Sequence, residues 1–400
     1  MFFRHLSLPK KQHILLLGPR STGKSTYVHG LYPKGETLWI DLLKDSEEDR
    51  YSRNPDLLAQ EVLALPKSIQ YIVVDEVQKI PKLLDVIHSL IESTESAIRS
   101  KRFILTGSSA RKLKKGSANL LAGRALFYRM APLTSFELSK DFNLTQALKF
   151  GLLPRIWTVK AESIKRKILE TYALTYLNEE IRAEQIVKEL SPFRKFLEVA
   201  AQFNGKIVNF SNIAGVTGVD EKTVRNYFQI LEDTLLGFFL ESFETSIRKK
   251  VIKSPKFFFF DPGIVRALSK QLTLDLIPGN YLWGDAFEHF VILEIQKLIQ
   301  YSGNDFTLNY LRTYDDLEID LVVERPGKSR LYLEIKSTPE ISPRHLKNIV
   351  TLSKDIQEEH ELICLSQDPK KQVIQGVKCF PWQEGVRKYF QGPDLKLRAI

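Results

Sequence analysis

Cysteine is almost missing from this chain: its 400 residues include two, Cys364 and Cys379. Two thiols cannot build a disulfide framework or a zinc cluster, so the fold must be held by packing. A reducing compartment fits, and a cytoplasmic location is expected. Long apolar runs are missing too. None approaches the roughly 20 residues of a membrane span, so no membrane segment is expected. The opening stretch, MFFRHLSLPKKQ, has neither a long apolar core nor a cleavage site, so no secretory leader is expected. Acidic residues are outnumbered: 48 Asp and Glu face 58 Lys and Arg, a net charge of +10. That balance favours an anionic partner, nucleic acid above all. What remains is globular in composition, at 43% hydrophobic and 26% charged. The length suggests two to three domains with substantial cores.

The clearest motif follows a short apolar run. HILLL reads as a buried parallel strand, and GPRSTGKS, residues 18–25, then fits G-x-x-x-x-G-K-[ST]. Gly18 and Gly23 let the backbone wrap around an anion with its amides pointing inward. Pro19, Arg20, Ser21 and Thr22 complete the loop. The next helix, opening at Lys24, Ser25 and Thr26, adds the positive end of its dipole. Lys24 is placed for the outer phosphates of ATP and Ser25 for Mg2+. YIVVDEVQ, residues 71–78, is a second apolar run, closed by two acids. Asp75 at its end suits the same magnesium, and Glu76 suits a general base acting on water. RFILTGSS, residues 102–109, ends a further strand in hydroxyls: either Thr106 or Ser108 senses the terminal phosphate or orients water, or the segment is a simple turn. Arg124, just before another strand, stands where an arginine finger approaches a neighbour's nucleotide, with a plain surface arginine as the open alternative.

The segments GPRSTGKS, VVDEVQKIP, LTGSSARKL and LAGR, in this order, resemble prokaryotic AAA+-type ATPases with a C-terminal restriction-endonuclease-like domain. The resemblance spans nearly the whole chain. It implies an α/β fold: a parallel sheet with the phosphate-loop strand central, in a homo-oligomer where Arg124 acts in trans. One departure concerns the turn GLLPRIW, residues 151–157. Pro154 matches the family's Gly-Gly-x-Pro pattern, but Leu152 replaces its second glycine.

Four segments are expected: a P-loop ATPase domain over 1–140, a helical lid or connector over 141–192, a winged helix over 193–279, and a nuclease-like domain over 280–400. In the third, FSNIAGVTGVDEKTVRNYF is patterned as helix-turn-helix. Ser211 suits a helix cap, Gly218 a tight turn, and Val224 and Phe228 an inner face. Lys222, Arg225 and Asn226 then face outward, able to meet phosphate or base edges of DNA, while a structural or protein-binding winged helix stays open as the alternative. The strand GFFLESFE and the later KFFFF form a hairpin with Arg248, Lys249, Lys250 and Lys253 along the wing. The basic run RKLKK, residues 111–115, reads as a solvated loop, and YLNEEIRAEQ as a solvated helix face.

In the last segment, GDAFEHFVILEIQKLIQ reads as an amphipathic helix with Phe287, Val291, Ile295 and Leu298 on one stripe. FTLNYLRT, EIDLVVE and RLYLEIKS follow as three strands, then a helix capped by Ser342 and a strand ELICLSQ. Asp320, Glu334 and Lys336 spell D…E-x-K, and the order of elements matches a PD-(D/E)xK nuclease core; by resemblance Glu288 is the motif's first acid. Carboxylates at these strand positions are costly to bury unpaired, and Mg2+ or Mn2+ between Asp320 and Glu334 would satisfy them. Such an ion lowers the pKa of its water and steadies the leaving oxygen of a phosphodiester, while Lys336 positions water or balances charge. Three readings stay open: an active metal site, an inherited fold used for binding, or charges that blunt a sheet edge. Glu318 is expected to be a surface charge and His289 a helix-surface histidine.

Overall fold

The computed structural model describes residues 2–109, 121, 123–176, 190–243, 251–392 and 395. The basic runs at 111–115 and 248–250 and nearly all of the charged segment at 176–185 lie outside them. The chain forms two compact units, Met1–Leu133 with Gln229–Leu236, and Thr134–Phe228 with Gly237–Ile400.

In the first unit, β1 (His13–Leu17), β2 (Thr37–Asp41), β3 (Tyr71–Asp75), β4 (Arg102–Gly107) and β5 (Ala125–Arg129) make one sheet, in the order β2-β3-β4-β1-β5. Every pairing is parallel. β1, β3 and β4 are apolar nearly throughout because both faces of an inner parallel strand are covered. The helices are α1 (Lys24–Leu31), α2 (Asp45–Arg53), α3 (Leu57–Ala64), α4 (Leu83–Glu92) and α5 (Ser96–Arg99). α4 buries Leu83, Leu84, Ile87 and Leu90, a helical stripe that packs into one core with Leu15, Leu17, Val74 and Phe103. The order puts β4, not the expected phosphate-loop strand β1, at the centre; β1 is an inner strand between β4 and the outermost strand β5. The phosphate-loop turn and the Asp75–Glu76 turn therefore leave the same edge of the sheet.

The second unit opens with α6 (Ser135–Leu138), α7 (Leu144–Phe150), α8 (Pro154–Thr158) and α9 (Glu162–Thr171), and continues with α10 (Leu190–Gln202), α11 (Phe210–Thr217) and α12 (Glu221–Asp233). α12 crosses the division, its residues from Gln229 grouping with the first unit. The cap of α11 is Asn209, whose side chain accepts from the Asn212 amide at 3.0 Å, so Ser211 does not serve as expected. Gly218 ends α11 in the left-handed region at φ 74°.

β6 (Gly237–Ser242) and β7 (Lys256–Phe259) form the expected antiparallel hairpin. The hairpin is not isolated. β6 also pairs in parallel with β8 (Thr307–Arg312), which starts a meander with β9 (Glu318–Glu324) and β10 (Arg330–Lys336). With β11 (His360–Ser366), β12 (Gln372–Ile374) and β13 (Val377–Pro381) the result is one mixed sheet of eight strands, ordered β12-β13-β11-β10-β9-β8-β6-β7. The wing and the C-terminal strands therefore share a single sheet.

The remaining helices are α13 (Pro262–Leu268), α14 (Tyr281–Ser302), α15 (Lys347–Ser353) and α16 (Trp382–Phe390). α14 departs from the single-stripe expectation, burying Phe290, Ile292 and Leu293 as well as Phe287, Val291, Ile295 and Leu298. His289 is buried with them at 3% exposure, its Nε2 2.7 Å from the Phe259 carbonyl, and is not a surface histidine. Burial lowers its pKa to about 4, which keeps the ring neutral.

Candidate functional site

The loop after β1 has the strained geometry expected of an anion cradle. Ser21 has φ 63° and Gly23 φ 93°, so two of its residues adopt left-handed backbone, one of them without glycine's freedom. A Cβ on Gly18 would lie 2.2 Å from the Met130 carbonyl oxygen, so only glycine lets β1 turn against the end of β5. The Gly18 amide bonds the Gly107 carbonyl at 3.2 Å, and the Thr22 hydroxyl bonds the Pro19 carbonyl at 2.9 Å. Arg4 braces the loop from outside the motif, its guanidinium donating to the carbonyls of Thr22 (3.0 Å) and Ala131 (2.5 Å). Lys24, only 5% exposed, folds over the loop with Nζ 2.8 Å from the Gly18 carbonyl and 3.1 Å from that of Pro19. Ser25 is half-buried and Thr26 exposed on the first turn of α1. Left-handed turns, an inward ammonium and a hydroxyl at a helix start are the parts that hold a triphosphate and its magnesium.

The ends of β3 and β4 supply a buried polar network. The Thr106 hydroxyl donates to Asp75, and the Glu76 amide donates back to that hydroxyl at 3.2 Å. Glu76 takes left-handed backbone at φ 60°. Its carboxylate accepts from the Ser108 hydroxyl at 3.0 Å and from the Gln78 amide, which also donates to Ser108 at 2.9 Å. The two hydroxyls therefore have separate tasks, Thr106 on Asp75 and Ser108 on Glu76. Gln78 is the residue that sequence reasoning passed over. Its signal was position, three residues beyond Asp75 in DEVQ, where a turn returns the side chain to the glutamate. A Cβ on Gly107 would lie 2.7 Å from the Gln78 side-chain oxygen, so that glycine makes room for the clasp.

Arg124 pairs with Glu92 at the end of α4 and holds its carboxyl below the usual carboxylate range. Arg124 precedes Ala125, which is in register with His13, whereas the phosphate loop begins beyond Leu17, in register with Arg129. Four strand residues, roughly 13 Å at ~3.3 Å each, separate the two levels.

In the second unit, the D…E-x-K residues are gathered but are held by the chain's own cations. Asp320, on β9, accepts from the Ile335 amide at 2.7 Å. Glu334 and Lys336 pair with each other on β10. Glu288, on α14, lies 3.6 Å from Nζ of Lys256, the first residue of β7, and the same ammonium pairs with Glu318. Glu318 also meets Arg312 at 3.1 Å and is no free surface charge. Burial, then Asp320, pushes the Glu334 carboxyl up to about 8 against the pull of Lys336. Burial likewise lifts Glu288 to about 7, opposed by Lys256. Burial works against both ammonium groups, but Glu288, Glu318 and Asp320 around Lys256, and Asp320 and Glu334 around Lys336, raise them nonetheless. One Glu334 oxygen, Oε2, is buried without a hydrogen-bond partner. Among the described residues, no three His, Cys, Asp or Glu side chains are grouped to hold a metal ion. Of the expected Mg2+ or Mn2+ ligands, Glu288 meets Lys256, Asp320 the Ile335 amide and Glu334 Lys336.

The Gly151 turn belongs to the packing of the second unit. Asp261 caps α13, accepting from the amides of Gly263 (2.9 Å) and Ile264 (3.2 Å), and also accepts from the Leu152 amide at 2.7 Å. A Cβ on Gly151, at φ 74°, would fall 1.9 Å from an Asp261 carboxylate oxygen.

Three family models match successive parts of the chain. Residues 10–139 match the family described as AAA domain. Residues 141–275 and 283–384 match two families, each described as a domain of unknown function. An uncharacterised protein of Mycobacterium tuberculosis is 27% identical over 334 residues, covering 82% of this chain and 71% of that protein. One from Haemophilus influenzae is 22% identical over 322 residues, covering 76% and 74%. Among solved structures, Thermotoga maritima RuvB is 18% identical with TM-score 0.32, covering 58% of this chain and 82% of that one. The Aeropyrum pernix ORC1 protein in complex with DNA is 13% identical with TM-score 0.29, covering 66% and 87%. Overlaps this shallow assign nothing further. The family match and the phosphate loop after an inner parallel strand make residues 10–139 a P-loop ATPase domain of the AAA type. No described helix is long and apolar enough to cross a membrane.

Proposed function

We propose that this protein binds and hydrolyses ATP with Mg2+, and that hydrolysis switches the grip of its second unit on double-stranded DNA, which that unit binds without cutting. The observation that carries the first part is the joint arrangement of the Gly18–Ser25 loop with the Asp75, Glu76, Gln78, Thr106 and Ser108 network on one sheet edge. In this reading the loop amides and Lys24 bind the phosphates, and Ser25 and Asp75 hold the magnesium, which offsets charge on the transferred phosphoryl group. Glu76 takes the proton of the attacking water, Thr106 fixes Asp75, and Ser108 with Gln78 orients Glu76. In this reading Arg124, just before β5, acts on a neighbouring subunit's nucleotide in a homo-oligomer.

DNA binding is supported by the helix-turn-helix. Lys222, Arg225 and Asn226 are exposed on α12, while Val224 and Phe228 are buried beneath them. Arg225 stacks 3.8 Å over the Phe210 ring and pairs with Glu221 at 2.6 Å, a pre-set orientation for a phosphate contact. The net charge of +10 acts in the same direction.

The test uses the full chain. Glu76→Gln should retain ATP binding by calorimetry and lose turnover by about 10²-fold or more. Lys24→Ala should lose binding itself. If neither substitution changes either quantity, the ATPase reading is wrong. The unpartnered Glu334 oxygen favours a second reading, cleavage; manganese-dependent plasmid nicking that Asp320→Ala or Lys336→Ala abolishes would establish it instead.

A further inference from the structure

Lys256 is the first residue of β7 and is 3% exposed. Its strand position aims the side chain at two carboxylates from different elements, Glu288 of α14 at 3.6 Å and Glu318 of β9. Its ammonium also lies 5.2 Å from the centre of the Tyr310 ring. Burying an ammonium without partners is costly, and so is burying carboxylates; here each offsets the other. A divalent ion bound by Glu288 would have to share that carboxylate with the ammonium, two cations a few ångströms apart in a medium of low dielectric. Of the remaining acids, Asp320 accepts from the Ile335 amide at 2.7 Å through one oxygen, and Glu334 pairs with Lys336 through Oε1.

We propose that Lys256 supplies from within the chain the positive charge that a divalent ion supplies in a phosphodiester-cutting acid cluster. The cluster of Glu288, Glu318, Asp320 and Glu334 thus already holds its cations, Lys256 and Lys336, and the second unit takes up no metal there. This rests on the reading that the second unit binds without cutting, but it is independent of the ATPase site. The chemistry is specific to a cation at this strand position: Lys256→Arg should preserve it, and Lys256→Met should open it.

The experiment measures Mn2+ uptake by nucleotide-free full-length protein, followed through the electron paramagnetic resonance of free Mn2+. Wild type and Lys256→Arg should show no saturable uptake that Asp320→Asn removes. Lys256→Met should gain one saturable site, at least tenfold tighter than any in wild type, and Lys256→Met with Asp320→Asn should lose it. Saturable uptake by wild type that Asp320→Asn abolishes would overturn the proposal, and that comparison stands even if Lys256→Met does not fold. A folded Lys256→Met protein, by circular dichroism, that gains no site would overturn it too. ATP turnover measured in parallel separates this failure from failure of the ATPase reading.

Discussion

At the scale of single residues, the chain uses buried carboxylates in two opposite ways. Glu76 is held by donors, Ser108 and Gln78, which fix its orientation. Glu334 is held in a place that resists its charge, its carboxyl raised to about 8 by burial and Asp320. An acid whose folded pKa exceeds its unfolded one binds its proton more tightly when folded. Its stabilising effect is full below the unfolded value, about 4.3, and is lost as pH rises through the folded value. Glu288, raised to about 7, acts in the same direction. Urea midpoints should therefore fall between about pH 5 and pH 8, and Glu334→Gln should flatten much of that slope. An unchanged slope in the variant would mean that Glu334 ionises as freely as in the unfolded chain. The pattern E-x-K was legible in the sequence, but the partners were not. Lys256 lies 32 residues before Glu288 and 62 before Glu318, and nothing local pairs them.

At the scale of elements, periodicity located most strands and helices, because inner parallel strands must be apolar and surface helices striped. It misread α14, which is covered on several faces, so a stripe cannot be told from general burial. It also read Gly151 only as part of a motif. In the structure that glycine is a joint: left-handed backbone beside a capping carboxylate, leaving no room for a methyl group. Gly151→Ala should destabilise the second unit by about 1–3 kcal/mol through strain, and more if Asp261 loses its amide donors. Urea denaturation of the full chain measures this, and a loss below ~0.5 kcal/mol would mean that the turn relaxes without cost.

At the scale of the whole molecule, β5 is the outermost strand among the described residues, with Leu126 and Phe127 43% and 51% exposed and Arg124 just before it. Apolar groups on an open sheet edge are a liability unless another surface covers them, which fits the proposed assembly of subunits. Mixing inactive Arg124→Ala with inactive Glu76→Gln chains should restore part of the ATPase rate, because some interfaces then join an intact arginine to an intact glutamate. Mixtures with no activity above the sum of the separate variants would count against trans action.

By itself the sequence determined the phosphate loop, the acid-tipped strand and the helix-turn-helix, since each depends on neighbours within about 20 residues and on local backbone preference. Only the tertiary structure decided which cation answers which carboxylate, that Gln78 clasps Glu76, and that the wing hairpin extends the C-terminal sheet. Those outcomes depend on side chains meeting across strands and helices, where burial makes an unpaired charge costly and any available lysine, amide or backbone donor is drawn in.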